Sequence, residues 1–174
     1  MKYEITKKKK RGSRYSLTLY RIKALKDFGK VKAGDLGGWI EGELNLSQEG
    51  NAWVTGDAQV YGKAWVSGDA QVSGKAWVYG DAEVFGNARV SGDAEVFGNA
   101  QVYGDAKVYG NAKVYGDAEV FENARVSGNA QVSGNAQVSE DAEVYGDAQV
   151  YGDAQVYGKA WVSGHAKVYG DVFY

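Results

Sequence analysis

The chain contains no cysteine, no proline and a single histidine among its 174 residues. Without cysteine, neither disulfides nor thiolate metal sites are available. One histidine, His165, is too few for a zinc centre that rests on three. Leucine, isoleucine and phenylalanine are scarce, so this composition cannot build a bulky globular core. No apolar run approaches the ~20 residues of a membrane span. The basic start, Met1–Lys10, leads into no apolar segment of the kind a secretion signal carries. These absences point away from a membrane and toward a cytoplasmic protein, or part of a particle assembled in the cytoplasm (host cytoplasm or virion, for a phage-encoded chain).

What is present is repetition. Residues 51–170 divide into 20 consecutive hexapeptides without insertion or deletion, from Asn51–Gly56 to His165–Gly170. Alanine holds the second position and valine the fourth in every unit, and a fixed short period over most of a chain means a repeat architecture. Within Asp57–Gly62, Ala58 and Val60 alternate with Gln59 and Tyr61, so the two sets face opposite sides of a short strand. Glycine followed by Asp or Asn supplies the positive φ that a corner requires. Strand and corner, repeated, wind a coil with a thin core of Ala and Val. Its neighbouring turns hydrogen-bond as parallel strands about 4.8 Å apart.

The pattern [D/N/K/H]-A-x-V-[Y/S/F/T]-[G/E] resembles that of the hexapeptide-repeat left-handed parallel β-helices, and the resemblance covers 120 of the 174 residues. It implies an all-β fold, a left-handed triangular solenoid with three hexapeptides per coil and about seven coils. The hand comes from the resemblance alone. Lys32–Val54 is similar to the entry region of YdcK-like hexapeptide proteins of bacteria and prophages, a group that brings no settled activity with it.

Residues 1–50 lack the repeat and are expected to form a small basic β cap on the N-terminal end of residues 51–174. Tyr3–Thr6 and Tyr15–Ile22 read as its strands, and Lys7–Ser13 as an exposed hairpin loop. Three glycines within Lys32–Ile40 signal a turn with close backbone approach. At the other end, residues 171–174 begin a further unit, with Val172 in the Ala slot and Tyr174 in the Val slot. They form either a plug for the core or an end-to-end contact.

Every eighteenth residue should stack. The first face then carries Tyr61, Tyr79, Phe97, Tyr115, Ser133, Tyr151 and Tyr169. A second carries Ser67, Phe85, Tyr103, Phe121, Ser139 and Tyr157, and the third is mostly small apart from Tyr109 and Tyr145. The first column is either a ladder that stabilises its own chain or an interface for a partner. Trp161, one coil after Tyr145, is a further candidate contact, whereas Trp53, Trp65 and Trp77 are expected to pack under the cap. Glu122 and Glu140 replace corner glycines 18 residues apart. They are either solvated or an acidic corner for a cation or a basic partner.

Charge is divided along the chain. Residues 1–34 hold 12 of the 20 Lys and Arg but 2 of the 22 acids, a net of +10 against −12 for the remainder. Lys7, Lys8, Lys9, Lys10, Arg11 and Arg14 are candidates for binding a polyanion such as nucleic acid, with Tyr15 and Tyr20 as stacking partners. A solvated hairpin tip, or docking on the chain's own acidic solenoid, are the competing explanations.

Many proteins with this repeat are acyltransferases that use a histidine base and a protruding loop. Here His165 sits at a corner and no excursion loop exists to build an acyl-CoA pocket. No phosphate loop or nucleophile–base pair is evident. The expected function is a non-catalytic, self-associating binding or scaffold protein, a dimer or trimer, encoded by a phage or prophage, without cofactor, metal or membrane contact. An inhibitor of a host defence or nucleic-acid-handling protein, using the acidic rod or the aromatic face, is the alternative. An acyltransferase-like enzyme ranks third.

Overall fold

Each hexapeptide contributes a strand of its middle residue and its valine, extended by one residue in Gln149–Tyr151 and Lys167–Tyr169, in the computed structural model, which describes residues 1–11, 17–170 and 172–174. After three N-terminal strands, β4 (Trp53–Val54), β5 (Gln59–Val60) and β6 (Trp65–Val66) found three parallel sheets. Each pairs with the strand 18 residues further on, as Gln59 does with Trp77 and Val60 with Val78. Three hexapeptides therefore close one triangular coil. Among the described residues two sheets hold seven strands each, and the third holds ten because the N-terminal strands join it. No described helix is long and apolar enough to cross a membrane.

Backbone pairing continues through the corners. Asp57 N–H donates to Gly74 O at 2.8 Å, Gln59 to Ala76 at 2.9 Å and Tyr61 to Val78 at 3.1 Å. Inside, every repeat alanine and valine from Ala52 to Val156 is fully buried. The corner glycines of the repeats take φ between 63 and 76°. A Cβ on Gly92 would also stand 2.9 Å from Gly110 O, so both conformation and spacing call for glycine there.

The cap is built from β1 (Tyr3–Arg11), β2 (Thr18–Ala24) and β3 (Leu36–Ile40). The first two are antiparallel, and β3 turns parallel to β5, with Ile40 opposite Val60. Ile40 and Leu46 extend the valine columns with larger side chains, and Tyr3 and Ile22 close the end; all four are fully buried. Lys2 completes the closure. Its amine donates to Glu49 O at 3.1 Å and Ala52 O at 2.9 Å and lies 5.1 Å from the Phe28 ring centre. Burial, with help from Lys26 and against the pull of Asp69, lowers its pKa to about 8.

Three expectations need correction. Lys7–Arg11 is strand rather than loop, with Lys9 opposite Tyr20, Lys10 opposite Leu19 and Arg11 opposite Thr18. A lysine run tolerates this because its amines reach solvent while the stems lie along the sheet. Ser13, Arg14 and Tyr15 lie outside the described residues. Gly37 and Gly38 belong to β3, and the turn falls instead at Lys32–Asp35, where Gly34 takes φ 95°. The close approach is real: a Cβ on Gly37 would meet Ile22 Cγ1 at 2.5 Å. At the far end Gln155 pairs with Val172 and Val156 with Phe173, one residue short of the 18-residue register. The shift takes Val172, which is exposed, out of the Ala slot. Tyr174 is 85% exposed beside Tyr157 and plugs nothing.

Candidate functional site

The outward columns are the surfaces available for function, and the coil sets their geometry. On the first face Tyr61, Tyr79, Phe97 and Tyr115 stack with centroids 5.1, 4.9 and 4.9 Å apart and planes within 6°. On the second, Phe85, Tyr103 and Phe121 do the same at 4.9 and 5.1 Å. Each ring face is thus covered by the next ring, and the edges are what the solvent meets. Tyr61 and Tyr79 are also buried against Leu19 and Trp39. This part of the column stabilises its own chain. The hydroxyls are tied down as well: Tyr79 donates to Glu95 at 3.1 Å and Tyr103 to Glu119 at 2.9 Å. Burial first, then the Glu119 bond, pushes Tyr103 up to about 12.

The ladders stop at one coil, where Ser127, Ser133 and Ser139 take the aromatic positions. Beyond it Tyr151 and Tyr169 lie 5.1 Å apart but tilted by 39°. The exposed rings of the column positions are Tyr109, Tyr145 and Tyr169, joined by Trp161 at 72% exposure. Trp53 is buried against Phe28 and Tyr3, and Trp77 packs on the Tyr61–Tyr79 cluster, as expected under a cap. Trp65 is half-buried on the second face.

The basic hairpin divides into two sides. Lys10 lies over the Trp39 ring at 4.5 Å and Arg21 over the same ring at 5.1 Å, while Arg21 also donates to Gly56 O at 3.3 Å. Burial lowers the pKa of Lys10, with Asp57 opposing. This side docks on the chain's own solenoid. Lys7, Lys8, Lys9 and Arg11 are exposed. Arg14 lies outside the described residues.

The acidic corner has an internal explanation. Glu122 and Glu140 both adopt φ 56°, and a Glu122 carboxylate oxygen accepts the Glu140 backbone N–H at 2.8 Å. Among the described residues no group of three or more His, Asp or Glu could hold a metal ion. The His165 side chain is 89% exposed, with Nδ1 at 3.5 Å from Asp147.

One set of residues escaped the sequence argument. A shallow groove of about 900 Å³ runs along the third face, lined by Arg89, Lys107 and Arg125 and by the neighbouring Asp and Asn column. The middle repeat position taken at every eighteenth residue, like the aromatic columns, exposes this column directly.

Residues 100–116, 124–140 and 148–164 match the YdcK Beta solenoid repeat. Those three stretches, well under half of the chain, are similar to that repeat. A relative, the Escherichia coli (strain K12) protein named "Uncharacterized acetyltransferase YdcK", is 46% identical over 43 residues. The match covers 25% of this chain and 13% of that protein, so the chain spans a small part of the relative's length.

Proposed function

We propose that the chain is a non-catalytic, self-associating rod that binds or scaffolds partners through its outer columns. Continuity carries this reading: 20 hexapeptides follow one another without an inserted loop, and the strands pair rung on rung at 18-residue spacing. A shielded catalytic site needs walls and a positioned base. His165, exposed at a corner, offers neither. The self-association half rests on Tyr109, Tyr145 and Trp161, which are exposed on one face. Acetyl transfer is the second reading, and the name of the Escherichia coli relative is what favours it.

Two measurements test the proposal. Incubation with acetyl-CoA and a panel of amines should release no free thiol above background, and calorimetry should detect no saturable acetyl-CoA binding. Turnover that disappears in His165→Ala would overturn the non-catalytic half. Light scattering coupled to size exclusion should give a dimer or trimer, and Tyr145→Ser with Trp161→Ser should lower the mass. A monomer in the unaltered chain would end the self-association half.

A further inference from the structure

The outward charges of this solenoid follow a rule. Within one column, an acid is stacked against an amide, a cation or a neutral side chain on the next rung, and not against another acid. Asn51 donates to Asp69, Asn99 to Asp117 and Asn135 to Asp153, each at 2.8 Å. Lys113 meets Glu95 at 3.2 Å and Lys63 meets Asp81 at 3.4 Å. Among the described repeat residues, like charges occupy adjacent rungs of one column in two places. The first is Glu122 and Glu140, where a backbone N–H relieves the pair. The second is Arg89, Lys107 and Arg125, three cations in direct register.

Arg125 has a counter-ion in Glu143 at 3.0 Å. Among the described residues neither Arg89 nor Lys107 has an acid within ion-pair distance. These three cations line the groove on the third face. Asp69, Asp105 and Asp141, with Asn87 and Asn123 between them, line it too, and residues 29–31 of the cap contribute at its N-terminal end. Two unrelated observations, a run of like charge with a counter-ion at Arg125 alone and a concavity of ligand size, thus fall on one place.

We infer that this groove binds a linear acidic polysaccharide. The carboxylates of the glycan fall on Arg89, Lys107 and Arg125, and its hydroxyl groups donate to the Asp and Asn column. The chemistry selects this class over other anions. A nucleic acid would need aromatic faces for its bases, and no aromatic side chain lines the groove. An extended acidic peptide presents same-side residues about 6.7 Å apart, out of step with rungs about 4.8 Å apart. A glycan combines sparse negative charge with many hydroxyl donors, which a column of cations beside a column of carboxylates and amides requires. The inference rests on the reading of the chain as a binding rod and names its ligand.

The test is calorimetric titration of the whole chain with hexagalacturonate at low and moderate salt. Saturable binding is expected. Arg89→Gln and Lys107→Gln should each weaken it about tenfold, the loss of one charge-assisted hydrogen bond. Glu83→Gln on another face should leave it unchanged, and the fully methyl-esterified hexasaccharide should not bind. Absence of binding, binding indifferent to Arg89→Gln and Lys107→Gln, or tighter binding of the oligonucleotide dT12 through those residues would overturn the proposal. Any of these leaves the non-catalytic reading intact, since that reading falls to acetyl-CoA turnover instead.

Discussion

Glu122 reaches one rung along the solenoid and accepts the backbone N–H of Glu140 at 2.8 Å, and both residues hold a left-handed backbone that the other corners give to glycine. A side chain in that conformation costs about 1–2 kcal/mol. The carboxylate bond offsets part of this at one position. Glu140→Gly should therefore raise stability in urea denaturation by about 1 kcal/mol. Glu122→Gly should gain less, because it also removes the acceptor. Added calcium should change neither result. A calcium-dependent stabilisation that vanishes in Glu122→Gly would restore the cation site instead.

The gap at Ser133 makes a second prediction. Tyr115 ends a run of rings stacked at 4.9–5.1 Å, and Tyr151 resumes the column two rungs later. A ring at position 133 continues the ladder and gains a neighbour on each side. Ser133→Tyr should stabilise the chain by about 1–3 kcal/mol, from two pairs worth about 0.5–1.5 kcal/mol each. Ser133→Ala should stay within about 0.5 kcal/mol of the unaltered chain. The comparison is a pair of thermal melts, and an unchanged or lowered Tm for Ser133→Tyr would show that the ladder adds nothing at this coil.

What was legible in the chain follows from the same geometry. Ala at the second position and Val at the fourth are dictated by a core too thin for anything larger, so the solenoid and its stacking partners could be read by counting. Counting also placed Tyr79 and Phe97 one rung apart, close enough to stack. It left the column open between a self-stabilising ladder and an interface, because burial of Tyr61 and Tyr79 against Leu19 and Trp39 is not written in the repeat. Lys7–Arg11 misled for a related reason, because a lysine run reads as solvated loop while its backbone is free to pair with Thr18–Tyr20. Arg89, Lys107 and Arg125 were hidden by occupying a repeat position shared among Trp, Gln, Glu, Arg and Lys. The one-residue shift at Val172 is not expressed in a letter pattern that keeps its six-residue spacing through Gly170.

Lys2 should make stability depend on pH in an unusual direction. Its pKa is about 8 in the folded chain against an ordinary 10.5, so between those values the unfolded chain holds a proton that the folded chain lacks. Stability then rises with pH across that window, by at most about 1.4 kcal/mol per unit from one proton. Below pH 8 the amine is charged in both states and its burial cost is present in full. Tyr3 and Tyr103 act oppositely, since burial raises both above the ordinary 10.0. Above that value the unfolded chain has lost protons the folded chain keeps, and stability falls. Urea midpoints should climb from pH 8 and turn over near 10. Lys2→Met should flatten most of the climb, leaving the smaller contribution of Lys10, which shifts in the same direction. A climb of full size in Lys2→Met would place the titrating group elsewhere.

The strictness of the alanine column gives the last prediction. Ala112 is fully buried in the middle of the rod, with coils packed on both sides, whereas Ala166 is exposed in the last full repeat. The same substitution should therefore have two outcomes. Ala112→Val forces two methyl groups into a filled slot and should cost about 1–3 kcal/mol. Ala166→Val adds them where there is space and should stay within about 0.5 kcal/mol. Urea denaturation of the two variants decides the matter. Equal costs would mean that alanine is required by the strand or corner itself, since the local backbone is common to both sites. A large cost at Ala112 alone assigns the requirement to the distance between opposing sheets.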